Sequence, residues 1–322
     1  MSGFRLQRIG MLMEPEPGNP QEVEGVLNPA AARGPDGQLY LFPRLVAKGN
    51  YSRIGIARVR FNADGDPAGV ERLGIALEPE ADYEQRSDGG GGCEDPRVTF
   101  VEPLQRYIMT YTAFSPKGPR IALAQSKDLF RWQRLGLAAF APCYGIALDS
   151  VDDKDASLFP VAIPNPSGHP EMALLHRPLF PGTRPEETAR HPAGRVVDLD
   201  RESIWISYCS LALEGSGPDR FGQFTSHHRL ATPVSPWERL KIGSGTPPIL
   251  TRHGWCQGRS KTRPVGRSKS RPVVGSQVVE YSGEEGRWSV AEAALLPRGA
   301  SGRGRVQRSE DEVRLRRLCL SR

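Results

Sequence analysis

The stretches DGQLYLFPR (36–44) and SRIGIARVRF (52–61) decide the fold. Each alternates or runs apolar for the length of a strand, and the pair reads as two strands joined by a turn. The pair recurs downstream as QRYIMTYTAF (105–114) followed by PRIALAQSKDLFRWQRL (119–135), the second strands starting at Ile54 and Ile121, 67 residues apart. Later units are EMALLHRP (171–178) and SIWISYCSLAL (203–213). Strand-turn units at such spacing fit the blades of a β-propeller, with a sandwich or barrel as the second reading. No stretch before residue 255 sustains helical spacing between caps. LFPGTRPEETARHPAGRVVDLDRE (179–202) is rich in Pro, Gly and charge and reads as a long surface loop near the mouth of a site.

Composition agrees with this all-β reading. With 35 Gly and 29 Pro in 322 residues, turn formers are abundant and helix formers are not. Nothing in the chain approaches the length of a membrane span, and MSGFRLQRIGMLMEPEPG (1–18) lacks a secretory apolar run. A cytoplasmic protein without a membrane partner is expected. The five cysteines (Cys93, Cys143, Cys209, Cys256 and Cys319) are scattered without Cys-x-x-Cys spacing, so neither disulfides nor a structural metal is expected. The pair His227-His228 lacks a third ligand at any telling spacing.

Charge is uneven. From Cys256 to Arg322 there are 15 Lys and Arg against 7 Asp and Glu, a net of +8, which leaves −2 of the total +6 for the first 255 residues. This basic tail offers only Tyr281 and Trp288 as stacking platforms, and no nucleic-acid partner is expected. Its Arg- and Ser-rich composition marks a boundary: 1–255 as the β domain, and 256–322 as a divergent, poorly ordered tail. At most it holds a strand near SQVVEYS (276–282) and a helical turn near EDEVRLRRLCL (310–320).

Polar clusters recur at similar places in successive units, as converging strand ends and loops would need. They are Asn28 before the first strand, Arg44 at its end, Glu94-Asp95-Pro96-Arg97 opening the second unit, Lys154-Asp155 with His176-Arg177 in the third, and Lys241 in the fourth. SKDLFRW (126–132) reads differently, as a turn in which Asp128 caps backbone donors and Trp132 fills space between units.

Taken in order, GVLNPAA (25–31), LYLFPR (39–44), SRIGIA (52–57), CEDPRV (93–98), YIMTYTAF (107–114), IALAQSKDLFRW (121–132), DKDASLFP (153–160), LLHRP (174–178), SIWISY (203–208) and KIGSGTPPILTRHGW (241–255) resemble the family 130 glycoside hydrolases and phosphorylases. The resemblance covers about residues 20 to 255. It implies a five-bladed β-propeller that cleaves β-mannosidic bonds with inorganic phosphate as co-substrate and no cofactor. In the family the aspartate of Glu-Asp-Pro-Arg is the single general acid, here Asp95, thought to deliver its proton through a hydroxyl of the bound sugar. A phosphorolytic enzyme needs one carboxylic acid where an inverting hydrolase needs two, because phosphate arrives anionic and nucleophilic. It needs cations instead. The resemblance assigns that role to Arg177, Lys241 and Lys154, with His176 beside Arg177 as a further phosphate candidate, although a histidine on an apolar strand is more often a satisfied core residue. It places Asn28 and Arg44 at the sugar; Arg53, Glu94, Arg97, Tyr111 and Asp155 are further substrate-binding candidates, and Arg97 reads as a partner that keeps Asp95 oriented.

Two departures qualify the resemblance. Lys154-Asp155 stands where many members have arginine followed by asparagine. After Trp255 the family's apolar strand ending in Tyr-His-Gly is replaced by CQGRSKTRPVGRSKSRPVVGS (256–276), and the place of its histidine falls at Ser260. The segment reads as divergent or frame-shifted and the last blade as incomplete, with activity impaired in proportion. The expected activity is phosphorolysis of a β-mannoside oligosaccharide to α-mannose 1-phosphate with inversion. The alternatives are an inverting hydrolase on the same scaffold and a non-catalytic carbohydrate-binding propeller. The linkage, the acceptor and the choice between monomer and homo-oligomer are left open.

Overall fold

The two strands around which the sequence organises itself form the middle of a four-strand antiparallel meander. A computed structural model describes residues 11–180, 202–210, 221–233, 241–251, 254–260, 276–282 and 287–293. Strands β1 (Gly25–Arg33), β2 (Leu39–Ala47), β3 (Tyr51–Phe61) and β4 (Pro67–Leu77) pair in succession. The order repeats in β5 (Gly91–Val101), β6 (Arg106–Ser115), β7 (Gly118–Ser126) and β8 (Gln133–Leu137). The short β9 (Ala139–Phe140) precedes a third meander of β10 (Asp152–Leu158), β12 (Pro170–Leu179), β13 (Ile204–Cys209) and β15 (Ser226–Ala231). Here β11 (Ile163–Pro164) adds to β12, and β14 (Gln223–Phe224) pairs in parallel with β9. A fourth set comprises β16 (Gly243–Ser244), β18 (Gly254–Ser260), β19 (Ser276–Ser282) and β20 (Arg287–Ala293), with β17 (Ile249–Thr251) beside β18. Helix among the described residues is confined to two three-residue turns, Glu102–Leu104 and Leu148–Ser150. The fold is all-β.

The core lies between successive meanders. Tyr40, Phe42, Ile54, Cys93, Met109 and Tyr111 pack the first against the second. Ile108, Leu123, Phe140, Leu174, Trp205 and Phe224 join the second to the third. Phe159, Ile206, Tyr208, Leu230, Ile242 and Trp255 join the third to the fourth. The second and third sheets thus carry a core on both faces, which is why β6 and β12 read as nearly continuous apolar runs.

The SKDLFRW turn behaves as its composition suggests. Asp128 Oδ1 accepts the backbone N–H groups of Phe130 and Arg131 at 2.8 and 2.9 Å. Those donors, that of Arg131 first, hold its carboxyl below the usual range. Trp132 then meets Phe42 edge-on at 5.7 Å, across the gap to the first meander. Of the segment after 255, β18 runs through the residue where the sequence places a boundary. The strand anticipated at 276–282 is β19, whereas β20 is not anticipated by the sequence pattern. Residues 181–201 of the expected surface loop and 294–322 of the tail, with the helical turn read there, lie outside the described residues.

The glycine run before CEDPRV joins the first two meanders. Gly91 and Gly92 pair in parallel with Tyr51 and Ser52. Their φ values are +69° and +103°, and a Cβ on Gly92 would stand 2.1 Å from the Ser52 carbonyl oxygen. Only glycine permits that approach. It brings β5 close enough to β3 for side chains of both to share one site.

Candidate active site on the first strands

The first strand of each of the first three meanders carries the same backbone device. Pairing slips between Leu27 and Ala30, between Glu94 and Arg97, and between Lys154 and Ser157. Within each slip one residue is left-handed: Asn28 at φ 46°, Asp95 at φ 46° and Asp155 at φ 57°. Asn and Asp tolerate this conformation better than other side-chain-bearing residues, and a bulge re-aims its side chain. Strand β5 packs against both β1 and β10, and β10 against β16. The three bulges are therefore neighbours in space.

Asp95 lies at the centre. Its Oδ1 accepts Asn28 Nδ2 at 2.8 Å and Arg44 Nη1 at 3.2 Å. Among the described residues no donor is placed on Oδ2, and the side chain retains 19% exposure. Arg44 also donates to Glu94 Oε1 at 2.8 Å, to Asn50 Oδ1 at 2.9 Å and to Ser52 Oγ at 2.9 Å. Four of the five N–H groups of a guanidinium are thereby engaged. Arg44 holds the two carboxylates and has little left for a sugar. Burial pushes the Glu94 carboxyl upward, Arg44 opposes the shift, the Asp95 charge adds to it, and Lys154 opposes it. Arg97 spends its guanidinium on backbone carbonyls and makes no bond to the Asp95 carboxylate. It donates to the carbonyls of Asp95 (3.3 Å) and Pro96 (2.9 Å) and to that of Gly245.

The cations gather on the other side. Arg177 lies opposite Lys154 in the β10–β12 register and donates from Nε to Asp155 Oδ2 at 2.8 Å. Its Nη1 pairs with Glu202, which is joined by a parallel bridge to Lys241. Burial lowers the Lys241 ammonium, and so do the charges of Arg177 and Lys154, while Asp155 raises it. Lys154 stands over the Phe114 ring at 5.6 Å. Two lysines and an arginine thus share one field, partly compensated by Asp155 and Glu202.

Three expected contacts are placed elsewhere, each because strand neighbours face opposite ways. His176 sits on the face opposite Arg177, is fully buried, and spends Nδ1 on Asp153 at 2.6 Å and Nε2 on Ser207 at 2.7 Å. Neither nitrogen is left for an anion. Tyr111 faces away from Glu94 and donates to Glu84 at 2.5 Å. Arg53 forks onto Glu78 at 2.8 to 3.0 Å. Sequence reasoning does not single out Ser52, Asn50, Asp153, Glu202 or Ser244, whose hydroxyl donates to the Asp155 carbonyl. Only the acid run DDKD (152–155) carried a hint of Asp153. Among the described residues no group of three His, Cys, Asp or Glu has the arrangement of a metal site.

A family model described as β-1,4-mannooligosaccharide phosphorylase matches residues 5–259. A 1,2-β-oligomannan phosphorylase of Thermoanaerobacter sp. (strain X514) is 28% identical over 261 residues, covering 78% of this chain and 70% of its own. A β-1,2-mannobiose phosphorylase from Listeria innocua, solved with β-1,2-mannobiose, superposes with a TM-score of 0.60 at 19% identity, over 88% of this chain and 80% of that one. A structure described with the glycoside hydrolases of the GH130 mannoside phosphorylase family that target β-1,2 mannosidic linkages in Candida mannan gives 0.56 at 18%, over 88% and 80%. At such identities the two structures speak to the fold.

Proposed function

The chain belongs to glycoside hydrolase family 130, and on that premise we propose that it cleaves a β-mannoside with inorganic phosphate, releasing α-mannose 1-phosphate with inversion. One observation carries the reading. Asp95 is fixed through Oδ1 by Asn28 and Arg44 while Oδ2 is left without a partner among the described residues, across from a field of three cations. A phosphate oxygen attacks C1 of the mannosyl unit from the α face as the β-glycosidic C1–O bond breaks. The departing oxygen receives the Asp95 proton, directly or through a sugar hydroxyl, so one acid suffices. Lys154, Arg177 and Lys241 hold the anion, Arg177 as a planar fork and the lysines as point charges. Asn28 stands where it can meet the sugar as well as Asp95.

The same reading takes the meanders as blades of a five-bladed propeller whose last blade is incomplete. What supports it is that first strands stand side by side and cores lie between successive sheets, as radial packing of blades requires. The test is to incubate the protein with a panel of β-mannosides, with and without phosphate, and assay mannose 1-phosphate. Release of free mannose irrespective of phosphate would favour the hydrolase instead.

A further inference from the structure

Behind the cation cluster lies a buried polar chain that crosses the third meander from strand to strand. Asp153 on β10 meets His176 on β12 at 2.6 Å, His176 meets Ser207 on β13 at 2.7 Å, and Ser207 meets His227 on β15 at 2.8 Å. Asp153, His176 and Ser207 are 3%, 0% and 0% exposed, and the imidazole of His176 stacks on Phe140 at 4.8 Å. Ser207 is sealed from solvent, and only His227 at the far end of the chain is partly exposed, so Ser207 is no nucleophile.

Its near end reaches the proposed phosphate site. Asp153 Oδ1 accepts the backbone N–H of Lys154 at 2.8 Å and that of Arg177 at 3.1 Å. One carboxylate therefore ties together the main chains of the two facing residues whose side chains supply the cations. The other oxygen is held by His176. With His176 Nδ1–H donating to Asp153, the Ser207 hydroxyl donates to His176 Nε2 and accepts His227 Nδ1–H. Each of these three links then has one donor and one acceptor. Register shows that this position has no general need of a carboxylate: the residues at the same step of the first two meanders are Val26 and Cys93. A buried carboxylate costs free energy unless it is fully bonded, and at this step the third meander supplies the bonds.

We propose that Asp153 and His176 are positioning residues for the anion site, Asp153 locking the Lys154 bulge to the Arg177 backbone and His176 locking Asp153. The proposal rests on the reading of Lys154, Arg177 and Lys241 as phosphate ligands. Its consequence is specific to one substrate. Asp153→Asn keeps the shape and an oxygen for the two backbone donors but loses the charge and sets an NH2 against His176 Nδ1–H, so the phosphate KM should rise about tenfold, the effect of losing one hydrogen bond to a charged group. The KM for the mannoside should stay within about twofold. His176→Asn retains a donor where Nδ1 stands and should stay near wild type. His176→Phe keeps the stacking on Phe140, loses the donor, and should resemble Asp153→Asn.

The experiment measures both KM values, Tm and calorimetric binding of inorganic phosphate for wild type, Asp153→Asn, His176→Asn, His176→Phe and His227→Gln. The last, at the far end of the chain, should lower Tm and leave phosphate binding unchanged. Parallel shifts in both KM values, equal behaviour of the two His176 variants, or a phosphate effect from His227→Gln as large as that from Asp153→Asn would overturn the proposal. Should Asp153→Asn not fold, the His176 pair decides alone. Wild type that binds no phosphate would overturn the functional reading, and this inference with it. Wild type that binds phosphate, beside an Asp153→Asn that binds it equally well, would overturn this inference only.

Discussion

Gly243→Ala isolates the geometry of the anion site in a single methyl group. Gly243 is buried at the start of β16, and its φ lies outside the left-handed region, so alanine meets no backbone obstacle. The obstacle is a neighbour. A Cβ there would stand 2.0 Å from Asp155 Oδ2, 3.0 Å from its Cγ and 3.3 Å from Arg177 Nε. Restoring ordinary contact requires the carboxylate oxygen to withdraw by more than about 1 Å. Asp155 cannot yield through its main chain, because it is left-handed at a bulge and its carbonyl is held by Ser244. Its side chain must rotate instead, and the 2.8 Å bond to Arg177 Nε breaks. Displacing a binding group by about 1 Å costs on the order of 10²-fold, so kcat/KM for phosphate should fall by about that factor. The fall should appear mainly in the phosphate KM. Tm should drop only modestly, because the clash involves a side-chain end. Initial rates at varied phosphate and fixed mannoside provide the assay, and a double-mutant cycle with Asp155→Ala sharpens it. Without the Asp155 carboxylate the new methyl has nothing to displace, so the two substitutions should be far from additive. Phosphate kinetics within threefold of wild type for Gly243→Ala, or strict additivity with Asp155→Ala, would refute the assignment of the Asp155–Arg177 pair to the anion site.

Asp95→Asn should keep the contacts of Oδ1 and lose the proton, lowering kcat/KM on an unactivated β-mannoside by about 10²- to 10⁴-fold; full activity in a steady-state assay would remove Asp95 from the acid role. Phe42→Ala empties a fully buried site between the first two meanders, and should cost about 3 to 5 kcal/mol by denaturant titration. Burial lowers His227 to about 4 from 6.5, against an opposing bond with the Ala141 backbone. The unfolded chain then binds a proton that the native one refuses, so stability should fall as pH drops from about 6.5 towards 4 and level off below. In His227→Gln that part of the pH dependence of Tm should be missing.

Much of this protein is legible in one dimension because its repeats are local. Alternation in 36–44 and 52–61, and its return 67 residues later, reflects strands that pair with their sequence neighbours, so pattern alone identifies the meander and the SKDLFRW turn. Asp95, Asn28, Arg177 and Lys241 could be singled out because they stand in short motifs at strand ends. Which neighbour of a motif residue faces the site is a different matter. His176 beside Arg177 looks equally eligible in the sequence, yet the two-residue period of a strand sends His176 inward to Asp153 and Ser207 and leaves Arg177 against Asp155. The engagement of Arg44 with four groups, the hold of Glu202 on Arg177, and the reach of Asp153 to two backbones join residues as much as 51 positions apart. Only packing of the first strands against one another decides such contacts, since no local preference encodes a distance between chains of atoms that meet through the fold.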